Sequence, residues 1–285
     1  MLAQVTIVGV GLIGGSLAIA FRERGIARRI VGVDSNEANR KVALERGLVD
    51  EFMELSESFV DSDLVVLAVP VNYIPLLAIK ILNSIHSKGL KCVVMDMGST
   101  KEELSDAISL HPARGRFVTT HPMWGTEFSG PEAAVSGAFE GRTAVICSGS
   151  ASDADAHDLV VGVYQKLGMI LTEMESEEHD IHAAYVSHIS HITSFALALT
   201  VLEKEREQQT IFNLAGGGFE STVRLAKSAA SMWVPIIMEN KYNVLDVLRE
   251  NIHQLQVMRK MIEKDDREGL TQAIEKANEI RKIID

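Results

Sequence analysis

The stretch Val5-Thr6-Ile7-Val8-Gly9-Val10-Gly11-Leu12-Ile13-Gly14-Gly15-Ser16 begins as a short β-branched run and passes through a G-x-G-x-x-G spacing into helical periodicity. Such a run suits a buried strand, and Leu12 to Arg24 reads as the helix that follows it. A second strand, Arg29 to Val33, ends at Asp34, twenty residues past Gly14. Strand, glycine turn, helix and acid in that order make a dinucleotide-binding fingerprint. Gly9, Gly11 and Gly14 permit the tight turn, the approach of backbone to pyrophosphate and close helix–strand packing. Leu12 and Ile13 open a helix whose free N–H groups and positive dipole end face the phosphates. Asp34 is placed to accept hydrogen bonds from both adenosine ribose hydroxyls. A carboxylate there repels a 2′-phosphate, so the expected cofactor is NAD rather than NADP. Arg40 and Lys41 lie nearby and read as solvated residues of the second helix. Val69 and Pro70 close a third strand, and their turn is expected to line the nicotinamide ribose.

Beyond this stretch, Asn36 to Arg46 reads as helix, Leu64 to Val69 as strand, Val71 to Ile85 as helix and Cys92 to Met95 as strand. Phe117 to Thr120 and Thr143 to Cys147 are further strands. This alternation predicts βαβ units and a parallel sheet. From about Glu175 the strand signal ends. Helical spacing covers Ser187–Lys204, Phe219–Lys227, Met232–Asn240, Val244–Lys264 and Leu270–Ile284, with Pro235 in a first turn or at a kink. The expected organisation is an α/β domain over residues 1–174 and an all-α domain over 175–285.

Of the 285 residues, 46% are hydrophobic, enough for a sizeable core. Against 39 acidic residues stand 28 basic ones, a net charge of −11. Neither nucleic acid nor an anionic membrane surface suits that balance. The two cysteines, Cys92 and Cys147, sit in apolar strands and read as reduced core thiols of a cytoplasmic protein. Val5 to Phe21 lacks the basic leader of a signal peptide and is broken by glycines. Nothing else is expected to be long and apolar enough to span a bilayer.

Further polar stretches follow the later strands. They are Asp96-Met97-Gly98-Ser99-Thr100-Lys101 and Thr119-Thr120-His121-Pro122-Met123-Trp124-Gly125-Thr126-Glu127-Phe128-Ser129-Gly130. Ser187-His188-Ile189-Ser190-His191 and Gly216-Gly217-Gly218-Phe219 followed by Arg224-Leu225-Ala226-Lys227-Ser228 lie in the helical half. Strand ends form the ligand crevice of such sheets. Taken together these motifs resemble the prephenate/arogenate dehydrogenase family of tyrosine biosynthesis, over nearly the whole chain.

The resemblance implies a Rossmann domain, a helical domain that forms an intertwined homodimer, and NAD-dependent oxidative decarboxylation of prephenate to 4-hydroxyphenylpyruvate. It makes His121 the group that deprotonates the ring hydroxyl, with Ser99 orienting that hydroxyl and His121. It makes Arg224 the holder of a substrate carboxylate, with Ser187, His188 and His191 lining the pocket. Glu127, Gly217 and Trp233 match positions near the substrate entrance. Two departures stand out: Ser221 where many members carry an acid one turn before the arginine, and the bulky Trp124. His188/His191 and His179/His182, each one helical turn apart, have zinc-compatible spacing. Without H-E-x-x-H or a nearby cysteine, the expectation is no metal. No fused mutase region or amino-acid-sensing domain is expected, so any feedback by tyrosine is expected to act at or near the active site. The alternatives are an arogenate or dual-substrate cyclohexadienyl dehydrogenase and, from another class, a catalytically silent NAD-binding regulator. A β-hydroxyacid or imine dehydrogenase would be expected to place a lysine or aspartate acid/base in the helical domain, where this chain has Ser-His-x-x-His.

Overall fold

In the computed structural model, which describes residues 1–283, the opening run forms β1 (Leu2–Val8) and passes into α1 (Leu12–Glu23). Gly9 adopts φ +92°, and a Cβ there would lie 2.5 Å from the Ala68 carbonyl oxygen. That turn therefore requires glycine. Val5 and Ile7 pack into one apolar core. Gln4 and Thr6 are also buried, and both bond to the Ser58 carbonyl and the Ser62 hydroxyl.

The chain continues through β2 (Ala27–Val33), α2 (Glu37–Glu45), β3 (Glu51–Phe52), the single turn α3 (Leu55–Ser58) and β4 (Leu64–Leu67). After these come α4 (Ile74–Lys88), β5 (Val93–Asp96), α5 (Glu102–Ile108), β6 (Phe117–Pro122), β7 (Thr143–Cys147), α6 (Ala154–Lys166) and β8 (Ile170–Met174). Asn36 caps α2 by accepting from the Ala38 and Asn39 N–H groups. α4 ends at Gly89 in the left-handed conformation, with its N–H bonded to the Ile85 carbonyl.

The eight strands form one sheet in the order β3-β2-β1-β4-β5-β6-β7-β8. All pairs are parallel except β6–β7, where His121 opposes Val145. An all-parallel sheet was the expectation. The chain between β6 and β7 forms only a short 3₁₀ turn, Pro131–Ala133, and no crossover helix, so it returns antiparallel. β8 was not expected at all: it is an edge strand, largely exposed, without apolar alternation. Two apolar layers cover the sheet. One holds Ile7, Leu17, Phe21 and Tyr164, the other Val65, Ile81, Phe117, Trp233 and Ile236.

The helical half comprises α7 (Ser176–Ala183), a π turn over Ala184–His188, and α8 (Ile189–Gln208). Next are α9 (Gly217–Val223), the 3₁₀ turn Arg224–Lys227, and α10 (Ala230–Glu239), which contains Pro235 in its interior. Ser176–Glu207 is in effect one continuous helix, long and apolar enough by length and composition to cross a membrane. That corrects the expectation that no further segment would be. The π turn joins two helical segments into one run, and the apolar side chains Tyr185, Val186, Leu199 and Leu202 lie exposed along it.

Compactness divides the chain at a different point from the change of secondary structure. Met1–Asn240 forms one unit, because Trp233 and Ile236 of α10 complete an apolar layer on the sheet. The second unit begins at Lys241. It is a helical pair, α11 (Lys241–Glu263) and α12 (Arg267–Ala277). Asp265 takes a positive φ between them, and the Asp266 carboxylate caps α12 at the Gly269 N–H. A 3₁₀ turn, Asn278–Lys282, follows. Ile284, the expected end of the last helix, lies outside the described residues.

Candidate active site

The carboxyl ends of β1, β2, β4, β5 and β6 share one edge of the sheet, and the expected ligand residues gather there. At β1, α1 starts at Leu12 with no side-chain cap, so the N–H groups of its first turn remain available to an anion. A Cβ on Gly11 would meet nothing within 4 Å, which leaves open space over that turn. A Cβ on Gly14 would collide with the Gly9 carbonyl. Asp34 lies just past β2. Its carboxylate accepts from the Val10 N–H at 3.0 Å and the Asn36 N–H at 2.8 Å, which fixes it beside the turn. The arrangement fits a dinucleotide: free helix N–H groups, a cradle that side chains would fill, and an anchored acid. Val69 and Pro70 follow β4, which ends at Leu67.

The Asp96–Lys101 motif is a buried clamp. Both side chains are fully inaccessible and form an ion pair. Asp96 Oδ2 accepts from the Gly98 N–H at 2.8 Å and Oδ1 from the Thr120 N–H at 2.9 Å. Lys101 Nζ donates to the Thr120 carbonyl at 2.7 Å. Thr120 Oγ1 donates to the Asp96 carbonyl at 2.5 Å and lies 2.6 Å from the Tyr164 hydroxyl. The motif therefore fixes β6 at the residue before His121.

His121, near the end of β6, is 8% exposed. Burial, then His179, Lys101 and His188 around it, hold its imidazole well below the usual histidine range. Its Nδ1 lies 2.8 Å from His179 Nε2, and His179 Nδ1 lies 2.7 Å from Asp180 Oδ1. Ser99 sits half-buried in the β5–α5 loop and, among the described residues, makes no hydrogen bond to His121. The orienting contact expected of Ser99 is made instead by His179, because the imidazole directs Nδ1 toward α7. His179 appeared in the sequence only as half of a zinc-like pair, and Asp180 not at all. Its partner His182 is exposed, one turn away. Among the described residues no three His, Cys, Asp or Glu side chains are grouped to hold a metal ion. The cysteines are buried, and burial raises Cys92 to about 11 and Cys147 to about 12.

The π turn carries Ser187 and His188 at its end. His188 Nδ1 lies 3.1 Å from Asn240 Nδ2, and burial lowers the imidazole to about 4. His191 lies one turn on, with Nδ1 3.1 Å from the Ser187 carbonyl. Its ring stacks on Trp233 with centroids 3.4 Å apart, while His188 meets the same indole edge-on at 5.9 Å. Trp233 Nε1 is buried with no hydrogen-bond partner among the described residues. Arg224 lies in the 3₁₀ turn after α9 and donates from Nη1 to Glu127 at 3.0 Å. Its own backbone N–H, followed by Arg224 and Lys227, keeps the Glu127 carboxyl below the ordinary range. A cavity of about 780 Å³ opens here, lined by Thr126, Glu127, Phe128, Ser129, Lys227 and Ala229 among others. Gly217 starts α9 and is exposed, with no contact to the histidines among the described residues.

The comparisons with known proteins agree with this geometry. A family model described as "Prephenate dehydrogenase, nucleotide-binding domain" matches residues 17–173, and "Prephenate dehydrogenase, dimerization domain" matches 175–276. The chain belongs to the prephenate dehydrogenase family. A prephenate dehydrogenase of Bacillus subtilis is 30% identical over 284 residues, covering 97% of this chain and 75% of that protein. A cyclohexadienyl dehydrogenase of Zymomonas mobilis is 26% identical, covering 98% and 94%. The crystal structure of prephenate dehydrogenase from Aquifex aeolicus, in complex with hydroxyphenyl propionate and NAD⁺, superposes with a TM-score of 0.89. Identity is 32%, and the match covers 100% of this chain and 99% of that one.

Proposed function

We propose that the chain catalyses NAD-dependent oxidative decarboxylation of prephenate to 4-hydroxyphenylpyruvate. The observation that carries this is His121: a buried imidazole, held neutral, at the strand edge where the glycine turn opens. A neutral imidazole there accepts a proton at physiological pH, which a nucleotide-sensing protein has no use for. NAD, when bound through Gly9, Gly11, Leu12, Ile13, Gly14 and Asp34 with Val69 and Pro70 beneath the nicotinamide ribose, supplies the hydride acceptor.

The residues around it divide the remaining work. His121 takes the ring hydroxyl proton as the carbon bearing that hydroxyl is oxidised. The ring carboxylate then leaves as CO₂, and its bonding electrons complete the aromatic ring. Arg224 receives a substrate carboxylate: its bond to Glu127 engages Nη1 alone, leaving Nη2 and Nε as a fork. His188, His191 and Ser187 line the pocket. Trp233 offers it an indole N–H, and Ser99 would help orient the substrate hydroxyl. Glu127 and Gly217 border the entrance. Glu127 is paired with Arg224 through Oε2, which makes it a weaker partner for an arogenate ammonium than an unpaired carboxylate would be, and leaves the exposed Glu220 as the other candidate. This favours prephenate over arogenate.

The proposed division is 1–174 for nucleotide and 175–285 for substrate and dimerisation, supported by family matches that meet between 173 and 175. A homodimer through the helical half would cover the exposed apolar side chains of the Ser176–Glu207 helix. Tyrosine, product-like in shape, is proposed to inhibit at this same pocket. A cytoplasmic location suits two buried, unpaired cysteines.

The test is NADH formation, followed at about 340 nm, with NAD⁺ and prephenate, then arogenate, then prephenate with added tyrosine. Prephenate turnover that exceeds arogenate turnover, is lost in His121→Asn and is competed by tyrosine is the expected result. Turnover of neither substrate by a protein that binds NAD⁺ would overturn the reading.

A further inference from the structure

We infer that Asp180, acting through His179, fixes the tautomer of His121 and leaves Nε2 as its proton-accepting atom. The inference rests on the proposed role of His121 as base. It adds two positioning residues, neither of which reaches the substrate.

Asp180 Oδ1 accepts from the Lys101 N–H at 2.8 Å, and Oδ2 accepts from the Glu102 N–H at 2.9 Å and the Lys101 N–H at 3.1 Å. The Asn240 side chain donates to the Asp180 carbonyl at 2.7 Å. Asp180 is 2% exposed, and these neighbours are donors, so its oxygens act only as acceptors. His179 Nδ1, 2.7 Å from Oδ1, must therefore carry the proton. A lone pair there would face a buried carboxylate with no hydrogen between them.

Neutral imidazole has one N–H. With the proton on Nδ1, His179 Nε2 presents a lone pair to His121 Nδ1 at 2.8 Å. His121 Nδ1 then donates, and His121 Nε2 holds the free lone pair. Three side chains, each at most 8% exposed, thus form a one-way chain from carboxylate to base. When the substrate O–H bond breaks and the Nε2–H bond forms, no electrons change hands in that step. The new positive charge is shared along two hydrogen bonds ending on a carboxylate.

Asp180→Asn is nearly isosteric and tests this directly. An amide oxygen at the Oδ2 position keeps both the Glu102 and the Lys101 N–H bonds, which puts the NH₂ at the Oδ1 position, facing His179 Nδ1. That donor drives the His179 proton to Nε2, and the His121 proton in turn to its own Nε2. We expect kcat to fall by about 10³–10⁴, the scale of the equivalent inversion in a serine-protease triad. KM for prephenate and the Kd for NAD⁺ should stay within about twofold. In ¹⁵N-histidine spectra of the ligand-free protein, the His121 ring proton should sit on Nδ1 in the wild type and on Nε2 in the variant. His179→Gln can still accept from His121 Nδ1–H through Oε1, and should keep kcat within about tenfold.

A wild-type His121 proton on Nε2, or Asp180→Asn with kcat within about threefold of wild type, would overturn the inference. If Asp180→Asn does not fold, the wild-type spectrum decides: protons on Nδ1 of both His121 and His179 support the chain, and on Nε2 of either refute it. The spectra need no substrate. A protein that shows the proton shift but turns over no prephenate would refute the proposed reaction and leave the relay standing.

Discussion

The glycine turn and the histidine cluster serve one crevice but are built in opposite ways. The turn is contiguous: residues 9–34 hold the glycines, the helix start and the acid, and backbone geometry does nearly everything. The cluster is assembled from afar. His121 meets His179 across 58 residues, and Lys101 meets Asp180 across 79. A local element tolerates damage elsewhere in the chain, whereas an assembled one depends on every strand and helix that delivers a part. The cluster also lies on buried charge, which the turn does not.

The largest expected effect follows from that difference. Lys101→Met removes one partner of a fully buried ion pair and leaves the Asp96 carboxylate uncompensated beneath β6. Such losses cost about 3–5 kcal/mol, a large share of the stability of an ordinary domain. Urea unfolding should show this drop. Double replacement with Asp96→Asn should recover part of it, because no unpaired charge then remains. If the single variant is as stable as wild type, the clamp does not hold β6.

A pair of substitutions in the turn should cause smaller and separable effects. Gly9→Ala forces a Cβ into a positive-φ position against the Ala68 carbonyl. Strain of that kind costs about 1–3 kcal/mol and should weaken NAD⁺ binding by roughly tenfold to a hundredfold. Gly11→Ala meets nothing in the protein itself. It should leave the unfolding midpoint unchanged while still weakening NAD⁺ binding, because its methyl occupies the open space over the helix start. Titration calorimetry with unfolding of the free protein separates the two. Equal NAD⁺ affinity in Gly11→Ala and wild type would show that the pyrophosphate does not pass there.

The same contrast explains what the sequence disclosed. The elements β1, α1, β2, α2, β4, α4 and β5 and the nucleotide turn were legible because periodicity and glycine spacing are short-range signals, whereas the two-residue β3 and the single turn α3 are too short to carry one. β8 was not: Ile170–Met174 is an exposed edge strand with no apolar alternation. The antiparallel return of β7 depends on a long loop whose path has no local signature. His121 was legible as a polar residue after a strand, and His188 and His191 through their motif. His179 and Asp180 were not, because an acidic residue followed by His-Asp in a first turn, Glu178-His179-Asp180, reads as an ordinary solvated helix start. The groups that meet them come from elsewhere in the chain: His121 of β6, the Lys101 and Glu102 N–H groups at the start of α5, and Asn240. One signal was available: both lie on the face of α7 opposite Glu177 and Glu178, together with Ser176 and Ala183, which are also buried.

The smallest effect is on pH dependence. Residues 1–85 contain no histidine, so acid in the histidine range should leave the nucleotide turn untouched. The cluster behaves otherwise. His188 titrates near 6.5 in an unfolded chain, but burial lowers it to about 4 in the fold. Between those values the unfolded state binds the proton and the folded state resists it, so stability falls as pH falls through this window. Burial acts on His121 in the same direction. Glu102 and Glu239, raised by burial, bind protons more readily in the fold and offset part of the loss near the lower end. The net slope should approach about 1 kcal/mol per pH unit for each histidine held neutral. In His188→Gln, whose side-chain oxygen still accepts from Asn240, the unfolding free energy should vary with pH less steeply between about 6.5 and 4, by about one proton. An unchanged slope would mean that His188 takes up its proton without unfolding the cluster, and that the buried histidines are less isolated from water than their packing indicates.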